Sequence, residues 1–417
     1  MAKLPSLKVL HVIASAASVT GGPAAAIVGM CRALADAGAE VAIATTTAFM
    51  SNAATKIGEI KTGEMTDHCG IPTIFFPCEI PPHLSLSLGL TRWLRHNIKT
   101  FDIAHIHGVF TYPSTIAGRI AHSHGVPYLV RPLGGLSRYS LARHRLRKRA
   151  YFALFEREYL NRAAGIHFTA PAEAEEAADL DLKAPALVVP LGVSNLQPVR
   201  DADVQSFTAK YSIGNNLRLL FLGRLDPKKG LELLFDALAS ATDRLPEWQL
   251  LIAGSGPEAY TASLRSAADR TGLGNRVLFL GELRGVEKSS AFQAADIFVL
   301  PSKHENFAVA AAEAMRAGLP VIVSREVGIS PYVAARRAGM VCEASVESIA
   351  ECLVQLGNDA ALRREMGESG RRVAEKVFSW PQIAQRLIGI YRQLTKPAGL
   401  QDFDLQVSAR DINVSKV

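Results

Sequence analysis

The sequence predicts an α/β protein made of two doubly wound, Rossmann-like domains, and three observations carry that expectation. Short β-branched or aliphatic runs alternate with stretches of helical apolar period almost throughout the chain. Its 417 residues exceed one ordinary domain and suit two of roughly 200 each. With 20% charged and 48% hydrophobic residues, the composition is globular and excludes a disordered, fibrous or coiled-coil chain.

The first strands are expected at 7–13, 40–45, 72–76, 102–106, 127–131, 165–168 and 186–190. A second set is expected at 217–222, 248–253, 276–280, 296–300 and 320–324. Helical periodicity fills the intervals, as in Ala24 to Ala37, which stops at Gly38. Such spacing argues for parallel sheets covered on both faces. Pro190 to Pro198 (PLGVSNLQP) breaks the alternation, so the domains are expected at 1–195 and 196–379. The polar, aperiodic residues 396–417 read as a loose tail.

Lys3, Lys8 and the apolar run Val9 to Ile13 could open a secretory leader, but the run is short and reads better as a buried first strand. No stretch of about 18 apolar residues occurs, so no membrane span is expected. The five cysteines form no C-x-x-C pair, which favours a reducing cytoplasm over disulfides or zinc.

In doubly wound sheets ligands bind beyond the carboxyl ends of the strands, so functional residues should follow strands directly. Gly21 and Gly22 follow the first strand and open a helix, as a phosphate loop or a plain turn would. His105 and His107 lie on one side of the fourth strand, with His107 at its exit beside Gly108. No carboxylate or cysteine completes a metal set there, and a hydrogen-bonding role is expected instead. Arg224 and Lys229 flank a turn within GRLDPKKG, where two cations and a helix start would meet a diphosphate. The densest motif is PSKHENFA, followed by a helix holding Glu313. Glu305 and Glu313, eight apart, can face one elongated ligand, with the amides of Asn306, Phe307 and Ala308 pointing the same way. The pair would equally suit the acid and base of a hydrolase, and Glu313 would equally suit an exposed helix position.

Gly254-Ser255-Gly256 fits the loose dinucleotide fingerprint, but no strand-end acid follows about twenty residues on. A nicotinamide site is therefore not expected. Three D-x-D triplets fall in helix, linker or tail and carry nothing.

Taken in order, these motifs resemble the GT4 family of retaining glycosyltransferases, which have the GT-B fold of two Rossmann-like domains with an interdomain cleft. The likeness spans nearly the whole chain, and its most specific part is E-x7-E, Glu305 to Glu313. It implies an N-terminal acceptor-side domain and a C-terminal nucleotide-sugar domain, with a helix at 380–395 crossing back onto the first. It implies that Arg224 and Lys229 hold the donor diphosphate, Glu313 the ribose, and Glu305 and the following amides the transferred sugar. His107 would lie beside that sugar. No metal and no cofactor are implied beyond the nucleotide diphosphate sugar as co-substrate. The chain departs from the family where it reads Glu305-Asn306-Phe307-Ala308 rather than E-G-F-G, so the sugar is not carried over. The implied function is transfer of a hexosyl group from a UDP- or GDP-sugar to a saccharide or lipid-linked acceptor, in polysaccharide or glycolipid assembly. A non-catalytic nucleotide-sugar-binding or saccharide-binding relative is the alternative.

The formal net charge of +7 is local. Residues 131–162 hold nine Arg or Lys and two Glu, which is the whole excess. Six cations fall between Arg138 and Arg149, interleaved with Tyr139, Leu141 and Leu146. The run 138–155 reads as an interfacial segment on an anionic membrane, or as a solvated helix with its apolar face packed inward. The first is the expectation, with the protein peripheral at the inner face of the membrane. No nucleic-acid module surrounds the run, so nucleic acid is not an expected partner.

Overall fold

The structure is a computed structural model and describes residues 6–16, 22–48, 61–79 and 84–396. The described residues form two compact units: one from those up to Gly192 together with Trp380–Lys396, the other from Val193–Ser379.

Unit 1 is an eight-stranded sheet of β1 Lys8–Ser15, β2 Glu40–Thr46, β3 Met65–His68, β4 Ile71–Phe76, β5 Ile103–His107, β6 Tyr128–Arg131, β7 Gly165–Phe168 and β8 Ala186–Val188. Their spatial order is β3-β4-β2-β1-β5-β6-β7-β8. The run at 7–13 is a central strand, buried between β2 and β5. Pairing is parallel except at the β3–β4 edge, which is antiparallel and corrects the expectation of wholly parallel sheets. β3 (MTDH) has no β-branched run, so strand periodicity gave no sign of it.

The two faces of this sheet differ. Leu10, Val12, Ala44, Ala104, Ile106, Val130, Ile166 and Phe168 form an apolar cluster on one. Alternation places His11, His105, His107, Arg131 and His167 on the other, in register across β1, β5, β6 and β7. The helices Gly22–Asp36 and Trp380–Leu394 pack against each other, and Tyr391 from the latter reaches His105. Trp380 lies so close to Gly29 and Gly192 that a Cβ at either would come within 2.6 and 2.2 Å of its ring.

Unit 2 is a six-stranded parallel sheet of β9 Leu217–Leu222, β10 Trp248–Ala253, β11 Val277–Gly281, β12 Ile297–Leu300, β13 Val321–Ser324 and β14 Gly339–Cys342. Its order, β11-β10-β9-β12-β13-β14, is that of a doubly wound nucleotide-binding sheet, reversing direction between β9 and β12. β14 (GMVC) has only four residues and escaped the sequence reading. In unit 1 the corresponding reversal lies between β1 and β5.

The basic run does not form one long helix. Helices Arg138–Ala142 and Arg145–Tyr151 are separated at His144, whose φ of 56° is left-handed, and a π-turn over Phe152–Glu156 leads into Arg157–Asn161. Among the described residues, no helix is long and apolar enough to cross a membrane.

Candidate active site

In unit 2 the loops after four adjacent strands meet at the carboxyl edge of the sheet. β12 pairs with β9, so the loop carrying GRLDPKKG lies beside the one carrying PSKHENFA. Lys303 N–H donates to Lys228 O at 2.7 Å and ties them together. Gly230 sits at φ 72°, and a Cβ there would strike Pro301 O at 2.2 Å, so only glycine lets the turn approach this closely. The Gly254-Ser255-Gly256 loop after β10 packs on the same turn. A Cβ at Gly254 would meet Gly223 O at 1.8 Å, and one at Gly256 would meet Leu225 O at 2.3 Å. Close backbone packing thus accounts for these glycines without a dinucleotide. The loop after β13 joins through Glu305 N–H to Glu326 O at 3.0 Å and Gly328 N–H to Glu305 O at 2.8 Å.

Ion pairs occupy this edge. Glu305 Oε1 lies 2.7 Å from Lys229 Nζ and 3.4 Å from Lys228 Nζ. Both Glu305 and Lys229 side chains are 13% exposed. The contact is ionic and lacks hydrogen-bond geometry, since Oε1 has no hydrogen-bond partner. Glu313, in helix Val309–Ala317, pairs through Oε1 with Lys288 Nζ at 2.7 Å. Lys288 stands on the neighbouring helix Gly285–Ala294. Arg224 is exposed in the loop after β9. Asn306 Oδ1 lies 3.1 Å from His304 Nε2. Phe307 is buried edge-to-face against Phe378 at 5.2 Å, so only its backbone faces the loops. Ala308 caps helix Val309–Ala317 at φ 75°, ψ 69°, a left-handed conformation that costs an L-residue about 1–2 kcal/mol. No side chain caps that helix, which leaves first-turn amides available to an anion.

In unit 1, Gly21 lies outside the described residues. Gly22 opens helix Gly22–Asp36, with space around it for a Cβ. His107 is the last residue of β5 and is buried, its Nε2 2.9 Å from His11 Nδ1. His107 Nδ1 has no partner among the described residues.

A second set of contacts runs from Tyr391 through His105 to His167 and Val189. Val189 O only accepts, so His167 Nε2 carries a proton and its Nδ1 accepts from His105 Nε2–H. His105 Nδ1 then accepts from the Tyr391 hydroxyl. Burial, then the Arg131 charge, hold His11 and His167 down to about 3. Burial, with the neighbouring rings and Arg131, also holds His105 and His107 well below the usual imidazole range. All four are therefore neutral at physiological pH. Arg131 is itself buried, with Nε and Nη1 unpartnered among the described residues. Ring nitrogens of His11, His105 and His107 lie within 4.8 Å of one another. Both nitrogens of His105 are already engaged, however, and the adjoining guanidinium opposes a cation. The set is better suited to a hydrogen-bonded relay than to a metal.

The sequence reading missed Lys228, Lys288, His11 and His167. The histidines left a trace, because polar residues interrupt otherwise apolar buried strands in KVLHVIAS and GIHF. Lys288 left none, since its pairing depends on how two helices pack.

Two Rossmann-like α/β units, each with one reversal of strand order, are the architecture of a GT-B protein. Comparison with known proteins agrees. The family described as glycosyl transferase 4-like domain matches residues 21–192, and that described as glycosyl transferases group 1 matches residues 204–373. The chain belongs to the GT4-like glycosyltransferases. It is 36% identical over 176 residues to D-inositol 3-phosphate glycosyltransferase of Corynebacterium glutamicum, a match covering 41% of this chain and 42% of that protein. The chain thus spans under half the length of such curated relatives in these matches. Sucrose-phosphate synthase from Thermosynechococcus elongatus superimposes with a TM-score of 0.73 at 23% identity, covering 93% of this chain and 99% of the other. Anabaena HepE, in complex with UDP and glucose, gives 0.73 at 19% identity, covering 93% and 99%.

Proposed function

We propose that the protein transfers a hexosyl group from a nucleotide diphosphate sugar, UDP- or GDP-linked, to a saccharide or lipid-linked acceptor, with retention at the anomeric carbon. The observation that carries this reading is the pairing of Lys228 and Lys229, after β9, with Glu305, after β12, at the reversal between those strands. Arg224, Lys229 and the open amides after Ala308 would bind the diphosphate and stabilise the charge that grows on it as it leaves. Those cations perform the task a divalent metal performs elsewhere, so transfer should persist in a chelator. Glu305 would hold sugar hydroxyls and Glu313 the ribose. Glu305 is not assigned as a nucleophile. The acceptor attacks from the face the diphosphate leaves, and the departing phosphate helps take its proton. His107, neutral, would offer its Nδ1, which has no partner among the described residues, to a substrate hydroxyl. The HepE complex with UDP and glucose supports UDP as the first nucleotide to try. The test is thermal shift against UDP, GDP, ADP and their sugars, followed by product analysis with the best donor. Binding without turnover would make the chain a non-catalytic relative, and an inverted product would overturn retention.

The same reading places the protein at the inner face of a membrane. Among the described residues, Tyr139, Leu146, Leu154 and Phe155 are four of seven exposed large hydrophobic side chains, with Leu146 82% and Leu154 68% exposed. They stand among Arg143, Arg145, Arg147 and Arg149, none of which makes an ion pair with a described residue. Apolar groups ringed by unpaired cations suit anionic lipid. Flotation with phosphatidylserine vesicles should retain the wild type, and replacing these four arginines by Gln should release it. Binding that ignores the substitutions would remove the membrane claim.

A further inference from the structure

We propose that Lys288 is a positioning residue for Glu313 and thereby sets how strongly the site selects for ribose hydroxyls. The inference rests on the reading of Glu313 as the ribose-holding carboxylate. Glu313 receives no cation from its own helix. Positions three and four before it are Ala310 and Val309, and those after it are Arg316, which bonds Asn195, and Ala317. Its described polar partner is Lys288, whose stem reaches across from the neighbouring helix. The two side chains are 13% and 27% exposed, sheltered enough for the pair to persist where a surface pair would not.

The geometry of the pair gives it a purpose. The terminal torsion of a glutamate is broad, so a lone carboxylate turns freely. Lys288 engages Oε1 only, at 2.7 Å. That contact fixes the plane of the carboxylate and leaves Oε2 to accept from one hydroxyl of a vicinal diol. The second hydroxyl can share the remaining lone pair of Oε1. Glu305 differs, because its lysines are the cations a diphosphate would recruit. Lys288 is held in reserve from that task and serves orientation alone. Fixing a side chain before binding is worth roughly 3- to 10-fold in affinity.

The experiment takes whichever of UDP, GDP and ADP binds most tightly and compares it with its 2′,3′-dideoxy form by calorimetry. Wild type, Glu313→Gln, Lys288→Met and Lys288→Arg are titrated in parallel, with thermal unfolding to confirm that each is folded. Lys288→Met should weaken the ribonucleotide roughly 3- to 10-fold and leave the dideoxy form unchanged. Lys288→Arg should restore most of the loss. Equal weakening of both ligands, no change, or tighter binding would overturn the inference. If Glu313→Gln keeps full discrimination between the two ligands, or no nucleotide binds, the reading of Glu313 itself fails and the inference with it.

Discussion

The two sheets reverse their strand order at equivalent places, β1/β5 and β9/β12, yet the chemistry at the two reversals is opposite. At β9/β12 the groups are charged, paired and partly accessible: Lys229 with Glu305, and Lys288 with Glu313. At β1/β5 they are buried imidazoles that stay neutral, beside one buried guanidinium. The difference follows from solvation. A lysine still touching water can exchange a carboxylate for a phosphate at small cost, whereas a fully buried histidine cannot gain a proton without heavy desolvation. On the proposed reading, the β9/β12 edge therefore receives an anion. The β1/β5 edge is built to hold a fixed hydrogen-bond pattern.

Function should accordingly break at one edge and acid stability at the other. The largest effect is expected from Lys229→Ala and Glu305→Ala. Each should lower transfer on the order of 10²–10³-fold while the unfolding transition stays in place, read by single-turnover assay and calorimetry. Near wild-type turnover in either would dissolve the contrast.

The second effect belongs to unit 1. Burial lowers the pKa values of His11 and His167 from the ordinary 6.5 to about 3, so the unfolded chain binds more protons between those limits. Their contribution is complete above about pH 6.5 and is lost as pH falls toward about 3. Stability measured by denaturant titration should thus decline through this window. His11→Leu should flatten the slope by up to about 1.4 kcal/mol per pH unit. A slope unchanged by that substitution would show that the relay does not titrate as a buried neutral set.

The smallest effect concerns Ala308. Replacing it by glycine relieves a left-handed alanine while loosening the unfolded chain, a net gain of up to about 1 kcal/mol in equilibrium unfolding. A clear loss of stability would mean that the methyl group packs usefully.

The same contrast separates what local sequence pattern encodes from what only the fold brings together. Arg224 and Lys229 sit in a glycine-marked turn at one strand exit, Glu305 in the loop after β12 and Glu313 in the helix that follows it, so local pattern and one topological rule suffice to bring them forward. Most strands were equally plain, because buried parallel strands read as apolar runs. β3 and β14 were not, being four residues long and weakly patterned. The break at His144 depends on a left-handed residue with no glycine to announce it. His11 and Lys288 acquire partners 96 and 25 residues away, and such contacts exist only once sheet register and helix packing are set.

On the proposed reading, the β9/β12 edge receives the diphosphate of a nucleotide-linked donor. The decisive experiment is calorimetric titration of wild type and Lys229→Ala with the tightest-binding nucleoside diphosphate and with its parent nucleoside. The diphosphate should bind the wild type and lose at least roughly 10-fold in the variant, while the nucleoside is unaffected. Equal affinity of both proteins for the diphosphate would show that Lys229 does not hold it.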